Sequence, residues 1–244
     1  MNSETEKDTL FTEAPASGRF EFNESVARVF DDMLARSVPL YRECQDLVVD
    51  WCVRLARPGV RVYDLGCSTG TLLVRLGNAL DGRGDVHLVG LDNSASMIEK
   101  ARNKLELSKV SAELVEADLE SDFPFSRAGV VVLNYTLQFL PPERRHRLVE
   151  KIRRALLPGG GLLLIEKIVA ESAEIQDTYT EMHHQFKRQR GYTDLEIARK
   201  KEALDRVLVP WTGEQNRALL AAAGFRAVER FFQWNNFAGF VALK

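Results

Sequence analysis

The sequence predicts one α/β domain on a seven-stranded, mostly parallel sheet, with an antiparallel C-terminal hairpin and a helical insertion. Three observations predict it. From residue 61 short apolar runs alternate with helical patterns, as strands joined by helical crossovers do. The first such run enters a turn of small residues, Gly66-Cys67-Ser68-Thr69-Gly70. Near the C-terminus two apolar runs are separated by little more than Asn235-Asn236, and strands so close pair antiparallel, since a parallel crossover needs many more residues.

The 244 residues, 45% apolar and 28% charged, match an ordinary globular domain with a substantial core. A formal net charge of −2 argues against binding nucleic acid over the whole surface, and no direct nucleic-acid contact is expected. Residues 1–18 have no apolar centre of the signal-peptide kind, and no run has the length to cross a bilayer; no membrane partner and a cytoplasmic location are expected. Cys44, Cys52 and Cys67 lack metal-ligand spacing and are expected as reduced thiols, with no metal bound.

Taken in order, residues 1–18 form an arm expected to be mobile. Val26, Val29, Phe30, Met33 and Leu34 make one helical face, ended by Ser37-Val38-Pro39. Cys44, Leu47, Val48, Trp51, Cys52 and Leu55 make a second, stopped by Pro58-Gly59. Strands are expected at Arg61 to Leu65, His87 to Leu91, Ala112 to Glu116, Val130 to Asn134 and Leu162 to Glu166. Helices are expected through Leu80, from Ala95 to Leu105, and before Pro158-Gly159-Gly160. Residues 168–210 form the insertion. Ile175, Tyr179, Met182 and Phe186 share a helical face there. Thr193 and Glu196 make a capping box that opens a helix with Ile197, Leu204 and Leu208 on one stripe. Such an insertion is expected to cover an active site or to join two copies. A parallel sheet ended by an antiparallel hairpin is the Rossmann-like pattern of the class I methyltransferases, a fold-level analogy that leaves the function to the site.

The site signals lie at strand ends. A small-residue turn between a strand and a helix N-terminus lets backbone N–H groups approach a ligand closely, and in a parallel sheet that turn faces the ligand crevice. Ser68 stands where a dinucleotide fingerprint has its second glycine, which disfavours a pyrophosphate and tolerates an amino-acid moiety. Asp92 ends the next strand and is suited to accept both hydroxyl protons of a ribose. Asp118 and Leu119 follow the third strand, where a carboxylate and a backbone N–H can meet an adenine edge, and Asn134 ends the fourth. Asp64 is expected behind the turn, as an acceptor that orients it. The four histidines fall in no metal or nucleophile–base pattern and are expected to pack or face solvent.

The chain resembles the carboxy-S-adenosylmethionine synthases of bacterial tRNA wobble-uridine modification. Segments shared with many methyltransferases are VYDLGCSTG and LDNSASMIEKAR. More specific are RSVPLY, LNYTLQFL and MHHQFKRQRGY; the match continues through TDLEIARKK and resumes at the final FFQWNNFAGFVALK, in which Trp234-Asn235 stand where the family usually has Cys-Phe. The resemblance implies conversion of S-adenosyl-L-methionine and prephenate to carboxy-S-adenosyl-L-methionine and phenylpyruvate. The product is passed to a partner enzyme, a tRNA carboxymethyltransferase, for uridine 5-oxyacetic acid formation. It also implies a homodimer and ligand contacts from Tyr41, Gly66, Cys67, Ser68, Asp92, Asn93, Asp118, Leu119 and Asn134. A cation from the second insertion helix, an arginine in the family and Lys201 here, reaches across the dimer to the extra carboxylate. The helical pattern independently places Lys201 on the apolar stripe, where a cation needs a neutralising partner or a snorkelling head. Two other functions stay open: a methyltransferase for another acceptor, and a silent protein that binds the nucleoside.

Overall fold

The computed structural model describes residues 6–12, 20–83, 85–121 and 123–244. Two helices, α1 (Glu24–Ser37) and α2 (Tyr41–Leu55), precede the sheet. Asn23 caps α1 by accepting the Val26 N–H, whereas Leu40 enters α2 in a left-handed conformation. The alternation then runs β1 (Arg61–Leu65), α3 (Thr71–Leu80), β2 (His87–Asp92), α4 (Ala95–Leu107), β3 (Glu113–Glu116) and β4 (Ala128–Asn134). After a short 3-10 turn it continues with α5 (Pro142–Ala155) and β5 (Leu156–Val169). The insertion supplies α6 (Ala173–Gln189) and α7 (Asp194–Ala203). The two-residue β6 (Trp211–Thr212), α8 (Gly213–Ala222), β7 (Ala227–Trp234) and β8 (Phe237–Leu243) complete the chain.

The strands lie side by side in the order β3-β2-β1-β4-β5-β8-β7, with β6 pairing the far end of β5. The first five are parallel, and β8 is antiparallel to both β5 and β7. The predicted seven-stranded parallel sheet with an antiparallel hairpin is therefore present, its turn at Asn235-Asn236. Strand alternation sends side chains to two cores. Tyr63, Leu65, Leu162 and Leu164 pack with Ile152 of α5 and Leu220 of α8 on one face. Val62, Leu163 and Ile165 pack with Val48 of α2, Leu73 of α3 and Ile98 of α4 on the other. All three cysteines are buried and free of disulfides. Among the described residues no helix is long and apolar enough to cross a membrane.

Three boundaries differ from expectation. α5 ends at Ala155 with its cap Leu156 already extended, and β5 starts at Leu156 rather than Leu162, because Leu157, before Pro158, is kept out of the helical region; the register of β5 against β4 shifts past Ala128. In the N-terminal arm residues 6–12 are packed where mobility was expected: Asp8 is 1% exposed and Phe11 4%. Tyr192 donates its hydroxyl to Asp8 Oδ2 at 2.5 Å, and Arg36 donates to the Asp8 carbonyl at 3.0 Å. Residues 1–5 and 13–18 of the arm lie outside the described residues. Finally, α7 ends at Ala203 with Leu204 as its cap, so Leu208 falls beyond the helix and the expected stripe is not formed.

Candidate active site

The carboxyl ends of β1, β2 and β4, the end of α1 and the insertion helices enclose one cavity of about 600 Å³. Its wall includes Tyr41, Gly66, Cys67, Ser68, Asp92, Asn93, Asp118, Leu119 and Asn134, nine of the ten residues expected at the site.

The turn after β1 is held by backbone geometry. Gly66 and Cys67 donate their N–H groups to the Leu91 carbonyl at 2.7 and 2.8 Å, joining the ends of β1 and β2. Gly66 has φ +77°, and a Cβ there would lie 2.6 Å from both Cγ2 and Oγ1 of Thr136, so only glycine fits. Ser68 also has a positive φ of 49°, a conformation its side chain disfavours. It is held there by Asp92, whose Oδ2 accepts the Ser68 N–H at 2.9 Å. Asp92 Oδ1 accepts the Ser94 N–H at 2.9 Å, which leaves lone pairs on both oxygens for a ligand. Burial raises the Asp92 pKa, against the backbone N–H bonds that favour its charge.

Asp64 departs from expectation. It makes no hydrogen bond to the turn among the described residues, its Oδ1 has no partner, and it lines the cavity. Burial first, and then the neighbouring Asp92 charge, push its pKa up to about 7. An unpartnered buried carboxylate oxygen in a binding wall fits a cationic or N–H-donating ligand group.

The turn is braced from the helix side by a cluster that the sequence did not single out. Asp31 Oδ1 accepts the hydroxyls of Thr69 and Thr71 at 2.7 and 3.0 Å. Lys104 Nζ lies 2.5 Å from Asp31 Oδ2 and within 2.9 Å of both hydroxyl oxygens. Gln45 Nε2 donates to Asn134 Oδ1 at 3.2 Å, fixing the side chain that ends β4. Tyr41 stacks obliquely near Tyr135, ring centroids 6.4 Å apart.

Lys201 is the tenth residue. It is exposed and absent from the cavity wall, whereas Lys200 is 6% exposed and lines it. The buried side of α7 is Glu196, Ile197, Lys200 and Ala203. The sequence missed Lys200 because the stripe was drawn through Leu204 and Leu208, beyond the helical geometry that defines a face. It also missed Lys167 on β5 and Lys187 on α6, both in the same wall. Arg199 bonds the carbonyls of Phe11 and Thr12, away from the cavity. His183 is a packing residue: its Nε2 donates to the Ser37 carbonyl at 2.8 Å and its ring meets Phe237 edge-on. Burial, with Lys187 adding to it, pushes its pKa down to about 2, so the ring is neutral. A more open groove of about 720 Å³ along β5, α8 and β7 holds none of the strand-end residues.

Comparison with known proteins bears on the family and the fold. The methyltransferase-domain family model matches residues 62–160. A carboxy-S-adenosyl-L-methionine synthase of Desulfotalea psychrophila is 44% identical over 240 residues, covering 98% of this chain and 97% of the relative. One from Methylococcus capsulatus is 45% identical over 227 residues, covering 92% and 93%. Human N-acetylserotonin methyltransferase, solved in complex with SAM, has a TM-score of 0.61 at 17% identity, covering 96% of this chain and 65% of that one. The S-adenosylmethionine-dependent methyltransferase SibL, solved in its apo form, has a TM-score of 0.58 at 19% identity, covering 89% and 57%. The solved structures share the fold.

Proposed function

Because the chain belongs to the carboxy-S-adenosyl-L-methionine synthase family, a family of transferases, we propose that it converts S-adenosyl-L-methionine and prephenate to carboxy-S-adenosyl-L-methionine, phenylpyruvate and water. The observation that carries this reading is kinship along 98% of the chain, which extends through the insertion and not only the nucleoside half.

In this reading the nucleoside lies along the strand ends. Asp92 accepts the ribose hydroxyls, Asp118 and the Leu119 N–H meet the adenine, and Gly66, Cys67 and Ser68 pass close to the methionine moiety. The unpartnered oxygen of Asp64 is free to face the ligand's positive charges. Prephenate loses carbon dioxide and hydroxide as its ring becomes aromatic. The hydroxide takes a proton from the S-methyl group and leaves as water, and the ylide so formed captures the carbon dioxide. The substrates thus supply base and electrophile, which suits a cavity whose one buried histidine is neutral and bonded to a carbonyl. The protein's part is to hold the two molecules in contact and keep bulk water out. The reading extends to a cytoplasmic homodimer whose product serves a tRNA carboxymethyltransferase in wobble-uridine modification. Lys201 would then reach the carboxylate across the dimer, for which its exposure leaves it free.

The test is to incubate the purified protein with S-adenosyl-L-methionine and prephenate and to follow both products by mass spectrometry. Formation of a nucleoside heavier by one carboxyl group together with phenylpyruvate is expected; prephenate left unconsumed overturns the reading. A second reading, methyl transfer to another acceptor, is favoured by Lys201 standing where the family has an arginine, since a lysine cannot make the two parallel bonds to a carboxylate. It predicts label transfer from methyl-labelled S-adenosyl-L-methionine to a component of a cell extract.

A further inference from the structure

The cavity wall carries both signs of charge. Asp31 of α1 and the strand-end residues Asp64, Asp92 and Asp118 line it, and so do Lys167, Lys187 and Lys200 from β5, α6 and α7, while its Arg144 is paired with Glu120. Among the described residues, neither Lys167 nor Lys187 has a carboxylate within 4.0 Å, and neither ammonium makes a hydrogen bond. Lys200 is partly satisfied: Nζ donates to Ser37 Oγ at 3.2 Å and lies 3.9 Å from Asp8 Oδ2. Lys200 and Lys167 are near enough to Lys187 for their charges to disfavour its own. Burial first, then Lys200 and Lys167, lower the pKa of Lys187 to about 7, and burial and Lys201 lower that of Lys167.

Gathering like charges in a poorly solvated wall is costly unless an anion completes it. Such an arrangement has no value to the fold, since apolar residues of similar volume would pack the same space at no electrostatic cost. We infer that Lys167 and Lys187 form the carboxylate-binding subsite of the co-substrate, a small dicarboxylate, with Lys200 as a flanking cation held in place by Ser37 and Asp8. The inference rests on the proposed function for the identity of the second substrate, but its geometry is independent of turnover. The strand-end carboxylates then face the cationic nucleoside and the lysines the dianion, so complementary charge helps to set which substrate lies where.

The experiment measures binding by calorimetry on full-length protein saturated with S-adenosylhomocysteine, with prephenate and the unreactive dicarboxylate malonate as probes. The variants are Lys167→Met, Lys187→Met and the conservative Lys187→Arg. Each methionine variant is expected to weaken prephenate at least tenfold and to leave S-adenosylhomocysteine affinity within twofold, which also shows that the variant is folded. Lys187→Arg is expected to recover most of the loss, as a charge requirement demands and a packing role does not. Unchanged prephenate affinity in both methionine variants overturns the inference. So does an equal loss for prephenate and nucleoside, or a wild type that binds neither probe. A wild type that binds prephenate through these lysines but does not consume it overturns the synthase reading and leaves the subsite standing.

Discussion

The Ser68 N–H and Asp92 Oδ2 lie 2.9 Å apart, so the residue expected to hold the ribose also holds the turn in its left-handed conformation. The two duties are inseparable in an alanine substitution. Asp92→Ala is expected to weaken S-adenosyl-L-methionine on the order of a hundredfold, as loss of two charge-assisted contacts implies, and to lower the melting temperature because the Ser68 and Ser94 amides lose their acceptor. Asp92→Asn keeps one acceptor oxygen and should fall between wild type and alanine. Titration calorimetry with thermal denaturation reads both effects; unchanged affinity for the nucleoside would remove Asp92 from the ribose site.

Gly66 is a second point where the turn admits no variation. An alanine there meets Thr136 and carries a positive φ, so Gly66→Ala is expected to cost about 1–3 kcal/mol and most of the nucleoside affinity. Thr136→Ala removes the two nearest atoms. The double variant should recover the steric part of the loss in a denaturant titration and not the part due to φ. Full additivity of the two changes would refute a direct clash.

The contrast between Asp92 and Lys201 shows how far the sequence could be read. A polar residue at the carboxyl end of a parallel strand is placed by strand order alone, so Asp92, Asn134 and the turn were legible from local pattern. Lys201 depended on where α7 ends. That end is set by tertiary contacts, including the Phe20 N–H bound to the Ala203 carbonyl at 2.9 Å, from a segment far away in sequence. One residue along a helix turns the side chain by about 100°, which moves the cation from the apolar side to solvent and brings Lys200 inward. Asp31 was illegible for a related reason: it is one acid on an amphipathic helix, and its partner Lys104 lies 73 residues on.

Lys201 yields a prediction of its own. An exposed lysine contributes little to folding, so Lys201→Ala should change stability by about 0.5 kcal/mol or less. If it reaches a ligand carboxylate from the partner subunit, the same variant weakens carboxy-S-adenosyl-L-methionine more than S-adenosyl-L-methionine. Lys201→Arg strengthens the carboxylated form, since a guanidinium grips a carboxylate with two parallel bonds. Equal losses for the two nucleosides would argue against a carboxylate contact.

Prephenate affinity should fall as pH rises through neutrality. Three cavity groups titrate in this range: Lys187, with a pKa pushed down to about 7 by burial and by Lys200 and Lys167, Lys200, lowered to about 8 by burial despite Asp8, and Asp64, pushed up to about 7 by burial and Asp92. Ionisation of Asp64 disfavours the dianion in the same direction. The charged and titratable groups around the two lysines are His183 and His184 on α6, Lys167 on β5, Lys201 on α7, Arg36 and Asp32 on α1, Asp8, and Tyr192, whose ring centroid lies 5.5 Å from Lys200 Nζ and whose raised pKa keeps it neutral in this range. His183 and His184 both have lowered pKa values and stay neutral above pH 7, so they add no opposing titration there. An anion stabilises the ammonium form and raises the pKa in the complex. Above the free-state value the amine must first take up a proton, so each lysine removes up to about tenfold in affinity per pH unit until its pKa in the complex is reached. Below that range the lysines are already charged and the profile flattens. Calorimetry in two buffers of different ionisation enthalpy should therefore register proton uptake near pH 8 and little near pH 6. In Lys187→Met the step nearest neutrality should shrink to the part due to Asp64, and in Lys187→Met with Asp64→Asn it should disappear, while that of Lys200 remains. A wild-type profile that stays level across this range would mean that neither amine meets the substrate's carboxylates.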